Sequence, residues 1–213
     1  MRKAPLWHLL DLIFPPPPDV LAALRIREED IMRHFSLTKI EKRAVYAGLP
    51  YRESAVRALI RANKFHRDLH SARVLGAVLR EMLIAIEEEH ARAGSWSRAA
   101  VVPMPASPAR LRERGVNQVE RIVRNMPEHF LESYAYEPNI LKREHRESQV
   151  RVPKEKRFLN VRNAFYVPRA DLVREKDILL IDDVVESGAT MADAARALRA
   201  AGARNIIGAA LAH

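Results

Sequence analysis

Residues Ile178 to Thr190 read I-L-L-I-D-D-V-V-E-S-G-A-T, and their reading decides the fold. Ile178–Ile181 is a short, wholly apolar run of the kind that a parallel strand buried on both faces shows, and polarity begins abruptly at Asp182. Ligands of open α/β sheets bind outside the carboxyl ends of the strands, so Asp182 and Asp183 stand where a ligand is met. The turn that follows contains Gly188 and opens a helix, whose first N–H groups and positive dipole end favour an anion. A phosphate therefore fits the loop Glu186–Thr190. The two carboxylates only accept hydrogen bonds and suit sugar hydroxyls. The two halves describe a pocket for a ribose 5-phosphate, with Asp182, Asp183, Val185, Glu186, Ser187, Gly188, Ala189 and Thr190 as candidate ligands.

Outward from this stretch, the pattern predicts a helix over Ala189–Ala201 ended by Gly202 and a strand over Ile206–Leu211, which together make a parallel βαβ unit. Upstream, Ala99–Met104 reads as a buried strand followed by a loop from Pro105 to Pro108, and a helix is expected from Val116 through Arg124. Val56, Leu59 and Ile60, then Val74, Leu75, Val78, Leu79, Met82, Leu83 and Ile86, recur at helical spacing. They predict two amphipathic helices, the second ending near Gly94. Ala44–Ala47 reads as a short strand turned by Gly48–Pro50, and Val20–Arg43 is polar and broken with weak helical character. Pro15–Pro18 cannot continue a helix, so the first fourteen residues are expected to form an arm.

Composition sets the outer limits. With 213 residues, 48% of them hydrophobic, the chain can bury one sizeable core. It contains no cysteine, which removes disulfides and thiolate metal sites and fits a reducing cytoplasm. No apolar run approaches membrane-spanning length, and Arg2 and Lys3 before L-W-H-L-L-D-L-I-F lack the cleavage site of an export signal. A formal charge of +9 asks for an anionic partner. The excess gathers between Lys142 and Lys176, with eleven basic residues against five acidic ones, a stretch able to close over a pyrophosphate or to track a nucleic-acid backbone. None of the seven glycines is spaced as G-x-G or precedes a lysine, so dinucleotide and Walker A fingerprints are absent. His66 and His70, four apart, lack a third ligand for zinc, and H-R-D-L from His66 lacks the remaining kinase motifs.

The Ile178–Thr190 stretch resembles the phosphoribosyl pyrophosphate (PRPP) motif of type I phosphoribosyltransferases. More widely, the chain resembles the ComF (GntX-like) proteins related to them. The likeness is carried by Y-R-E-S-A-V-R-A-L-I-R-A-N-K-F from Tyr51, V-V-P-M-P-A-S-P-A-R-L-R-E-R-G-V-N-Q from Val101, R-F-L-N-V-R-N-A-F from Arg157, and the PRPP motif. The resemblance implies an α/β, type I phosphoribosyltransferase fold, a central parallel sheet flanked by helices, with a small hood and a helical N-terminal arm. It divides the chain into an extension, residues 1–45, and a phosphoribosyltransferase-like domain, residues 46–213. It further implies Pro105, Ala106, Ser107, Arg110, Arg114 and Lys64 at a pyrophosphate, and Arg143, Arg146, Arg151 and Arg157 on a mobile or nucleic-acid-facing loop. Ser148, Gln149 and Asn160 fall on the same loop.

Mg²⁺ is implied through PRPP or pyrophosphate, with few or no direct protein ligands. The implied partners are PRPP or another nucleotide; single-stranded DNA with DNA-uptake proteins is the alternative, and a homodimer stays open. Two departures stand out. Family members carry a cysteine-rich zinc module after an L-I-F-P-like entry; Leu12–Pro15 keeps the entry without the cysteines, so no zinc is expected. Glu186 stands where the family usually has threonine and where 6-oxopurine phosphoribosyltransferases commonly have aspartate. Glu186 and Asp183 are accordingly the expected catalytic groups. An alternative for Glu186 is a solvent-facing cap on the helix that follows.

Overall fold

The computed structural model describes residues 17–40, 44–91, 99–132, 134–144 and 164–213. The helices in chain order are α1 (Pro18–Ala23), α2 (Glu28–Met32), α3 (Ser54–His66), α4 (Leu69–Ala91), α5 (Pro108–Arg114), α6 (Gln118–Arg124), α7 (Glu128–Leu131) and α8 (Ala189–Ala200). The strands are β1 (Thr38–Ile40), β2 (Val45–Leu49), β3 (Ala100–Pro103), β4 (Ala135–Tyr136), β5 (Lys142–Arg143), β6 (Phe165–Tyr166), β7 (Asp177–Val184) and β8 (Asn205–Ala212). Six strands form one sheet in the order β1-β2-β8-β7-β3-β4, in which only the β1–β2 pair is antiparallel. This is the expected α/β fold with a mostly parallel sheet flanked by helices.

Apolar residues on β7 and β8 face both sides of the sheet, as a strand buried on two faces requires. Leu179, Ile181, Ile207 and Leu211 join one core with α3, α4 and α6, whereas Ile178, Leu180, Ile206 and Ala210 join a second core with α8. Asp177, at the start of β7, is fully buried and is held by the Arg204 guanidinium at 2.5 and 2.8 Å and by Asn205 Nδ2 at 2.9 Å.

The connection out of β3 returns through α6 on one face, while the connection out of β7 passes through α8 on the other. Neighbouring parallel strands whose exits diverge in this way leave a crevice at their carboxyl ends. That crevice lies between β3 and β7, directly beyond Pro103 and Val184.

Several expectations are refined by the structure. β7 continues through the acidic pair to Val184 instead of stopping at Ile181. The helix expected over Val116–Arg124 begins at Gln118, because Asn117 caps it, accepting the Val119 N–H at 3.1 Å; a separate α5 precedes it. Gly115 joins the two helices at φ 71°, a left-handed conformation that costs a residue with a side chain more. Gly48 lies within β2 and makes no turn. Within the N-terminal stretch, β1 pairs with β2, while Ala23 of α1 and Ile31 of α2 are wholly buried in the core shared with α3 and α4. Gly94 and the first sixteen residues, with the entry Leu12–Pro15, lie outside the described residues.

The packing of α6 has a precise dependence on one glycine. A Cβ at Gly76 of α4 would sit 2.8 Å from the Asn125 carbonyl oxygen and 3.0 Å from the Met126 nitrogen, both backbone atoms just past α6. Gly76→Ala gains about 1 kcal/mol of helix propensity and pays an overpacking cost of about 1–3 kcal/mol. The expected net result is a lower urea midpoint with an unchanged m-value; a midpoint at or above that of the parent contradicts the close approach.

Candidate functional site

At the crevice, the acidic pair of β7 is fixed by its own backbone. Asp182 Oδ1 accepts the Asp183 N–H at 2.9 Å, and Asp183 Oδ1 accepts the Val184 N–H at 2.9 Å. Successive residues of a strand face opposite ways, so Asp183 turns toward α6, where its Oδ2 accepts from Gln118 Nε2 at 3.3 Å. Burial and the neighbouring Asp183 charge push the Asp182 carboxyl well above its usual range, with Lys64 pulling it back down.

The loop after Val185 supplies the second half of the site. Gly188 adopts φ 65° and is the N-cap of α8, where it offers no side chain to the first helical N–H groups. Ser187 Oγ accepts the Ala189 N–H at 3.4 Å. Ser187, and not Glu186, therefore makes the local side-chain bond at this helix start; Glu186 is exposed on the rim.

Cations face the acids from other elements. Lys64 comes from the last turn of α3, Arg110 from α5 and Arg143 from β5, and all three line one cleft of about 370 Å³ with Asp182 and Asp183. Burial lowers the pKa of the Arg143 guanidinium and the nearby Arg110 adds to the effect, while Asp182 and Asp193 act in the opposite sense. The β5–β6 pair that carries Arg143 is anchored to α8: Asp193 accepts the Ala164 N–H at 2.8 Å, and the Arg143 guanidinium lies 5.4 Å from the Phe165 ring centre.

Of the sequence-expected residues, Asp182, Asp183, Val185, Glu186, Ser187, Gly188, Ala189, Thr190, Pro105, Ala106, Arg110, Lys64 and Arg143 line this cleft. Ser107 and Arg114 are not part of its wall. Ser107 is the N-cap of α5, its Oγ accepting the Arg110 N–H at 3.3 Å. Arg114 lies behind the wall, its guanidinium 5.1 Å from the Phe65 ring centre and its Nη1 donating to Gln118 Oε1 at 3.4 Å. Arg146, Arg151 and Arg157, with Ser148, Gln149 and Asn160, lie outside the described residues.

Tyr51, Met104, Gln118, Val119, Val184 and Met191 complete the wall. Gln118 was within reach of the sequence, since it closes the R-G-V-N-Q run, whereas Tyr51 arrives through the pairing of β2 with β8, where its N–H donates to the His213 carbonyl at 2.8 Å. His70 Nε2 lies 2.9 Å from the Ile26 carbonyl oxygen. Among the described residues, no group of three or more His, Cys, Asp or Glu side chains is placed to hold a metal ion, and no helix is long and apolar enough to cross a membrane.

Residues 139–213, about a third of the chain, match the model of the phosphoribosyl transferase domain, a span that holds β5, β6, β7, α8 and β8. No curated protein matches the chain. Among solved structures, the chain is similar to the allosteric regulatory enzyme of purine biosynthesis at 17% identity and a TM-score of 0.41, covering 71% of this chain and 30% of that one. The chain thus spans less than a third of that protein's length.

The acidic pair makes a pH-dependent prediction. As pH rises from the ordinary carboxyl value of 3.8, the folded protein keeps a proton on Asp182 that the unfolded chain has lost, so this group lowers stability increasingly across that window. Asp182→Asn keeps the acceptor for the Asp183 N–H and removes the penalty. The ligand-free variant is expected to melt above the parent at neutral pH, with the gap closing as pH falls toward the ordinary value. A melting difference independent of pH would contradict the buried charge.

Proposed function

We propose that the chain is a PRPP-binding protein of the phosphoribosyltransferase type, as its resemblance to the ComF proteins implies, and that it transfers the phosphoribosyl group to a nitrogen acceptor. The observation that carries the reading is the adjacency, in one cleft at a divergence of strand exits, of a carboxylate pair, a glycine-started helix and three cations. Sugar hydroxyls suit Asp182 and Asp183; a 5-phosphate suits the N–H groups at Gly188–Thr190; a diphosphate suits Lys64, Arg110 and Arg143.

A magnesium ion would be brought in on the diphosphate, with few or no direct protein ligands, and the acidic pair lining the same cleft fits its charge. When bound, Mg²⁺ neutralises the charge of the leaving group. In the reaction the acceptor nitrogen forms a bond to C1 of the ribose as the bond from C1 to the pyrophosphate oxygen breaks. Asp183 holds the ribose hydroxyls, the three cations balance the departing pyrophosphate, and Glu186, on the open rim, takes the proton that the acceptor nitrogen sheds.

Pyrophosphate release from PRPP and Mg²⁺ in the presence of purines, pyrimidines or amines tests the proposal directly. Glu186→Gln is expected to lower turnover by ~10²–10⁴ while PRPP affinity, measured by calorimetry, is kept. Full activity of this variant on every acceptor would remove Glu186 from the chemistry, and failure of the parent to bind PRPP would remove the whole reading.

The formal charge of +9, much of it between Lys142 and Lys176, favours a second reading as a single-stranded DNA-binding accessory in DNA uptake. Counterion release then makes affinity fall steeply with salt, and replacing Arg143, Arg146 and Arg151 by alanine flattens that dependence. An anisotropy titration at several salt concentrations checks it; no binding at low salt leaves the phosphoribosyl reading alone.

A further inference from the structure

Gln118 is 6% exposed and sits between two groups of opposite kind. Arg114 Nη1 lies 3.4 Å from its Oε1, and its Nε2 lies 3.3 Å from Asp183 Oδ2. A guanidinium only donates and a carboxylate only accepts, so one orientation of the amide satisfies both neighbours and the flipped one satisfies neither. The backbone beneath is equally constrained. Asn117 Nδ2 donates to the Met104 carbonyl at 3.0 Å, tying the start of α6 to the end of β3, and Asn63 Nδ2 donates to the Gln118 carbonyl at 3.3 Å. Asn63 is itself held by the Arg121 guanidinium, whose Nε donates to its Oδ1 at 2.9 Å. On the outer side, the Phe65 ring rests against Arg114, 5.1 Å from the guanidinium carbon.

We propose that Arg114 and Gln118 form a positioning relay that aims Asp183 at the ribose hydroxyls, a proposal that rests on the phosphoribosyl reading of the cleft. Asp183 has two oxygens to orient. Oδ1 is held by the Val184 N–H and Oδ2 by Gln118, which fixes the carboxylate plane and leaves a lone pair on each oxygen for the ligand. Arg114 touches no ligand in this scheme. It acts by holding the amide oxygen, so that the amide N–H₂ group always faces Asp183. The two bonds measure 3.4 and 3.3 Å, and hydrogen bonds of this kind tighten when a substrate completes the site.

The test separates ribose from diphosphate. Gln118→Leu is expected to weaken binding of PRPP with Mg²⁺ about tenfold or more, the cost of losing a bond to a charged group, and to leave binding of inorganic pyrophosphate with Mg²⁺ unchanged. Gln118→Glu places a third carboxylate beside Asp183 and should weaken PRPP binding further. Arg114→Met should weaken it less than Gln118→Leu and add nothing in the double variant. Equal losses for PRPP and pyrophosphate, or no loss for either, would overturn the relay.

A measurement without ligand keeps the two readings apart. If the relay exists, the effects of Gln118→Leu and Asp183→Asn on the unfolding equilibrium constant depart from simple multiplication by about threefold or more. Multiplicative effects overturn the relay, even where PRPP binds. Coupled unfolding together with a parent that does not bind PRPP keeps the physical relay and overturns its assignment to ribose.

Discussion

Two neighbouring carboxylates at the end of a central strand repel each other and lose water, and the rest of the site is arranged around that cost. Burial and the charge of Asp183 both disfavour the ionised form of Asp182. Asp183 is surrounded differently, with a backbone N–H on one oxygen and an amide N–H on the other. The two carboxylates are thus held differently, Asp182 by a single backbone N–H and Asp183 by a backbone N–H and a side-chain amide. A chain selected for stability alone would not keep such a pair at the end of a central strand.

Relief comes from elsewhere in the fold. The divergence of the chain after β3 and β7 brings α6 and α8 to opposite faces of the sheet, and the crevice between the strand exits admits side chains from helices and strands far apart in sequence. Lys64, Arg110 and Arg143 reach it from three separate elements, and none is adjacent to the acids along the chain. The fold thus assembles opposite charge around a deficit that its central strand creates. The matched span of residues 139–213 holds the acids and Arg143, whereas Lys64, Arg110 and Gln118 come from the preceding part of the chain.

What the sequence made legible follows from how each element is held. β3, β7 and β8 are covered on both faces, so they appear as unbroken apolar runs, and α8 was readable from Gly188 before it and Gly202 after it. The two-residue strands β4, β5 and β6 leave no such trace, because two residues cannot display a period. α5 was not anticipated, because it buries no residue and so shows no hydrophobic period, and the start of α6 was placed two residues early because the Asn117 cap does not alter hydrophobic spacing. At the site, residues contiguous with the motif were found directly. Ser107 and Arg114 were assigned by the family resemblance, and the structure uses them in a cap and in a contact with Phe65. Tyr51 became visible only through the pairing of β2 with β8.

The glycine that starts α8 leaves the first N–H groups of that helix without a cap from its N-cap side chain. Such a cradle discriminates poorly among small tetrahedral anions, because its donors are backbone groups and its attraction is that of a helix dipole. On the proposed reading of the cleft, sulfate or inorganic phosphate in a storage buffer would compete with a sugar phosphate for these N–H groups, raising the melting temperature by mass action while depressing apparent affinity for PRPP. The choice of buffer salt is thus a variable of the protein's own chemistry.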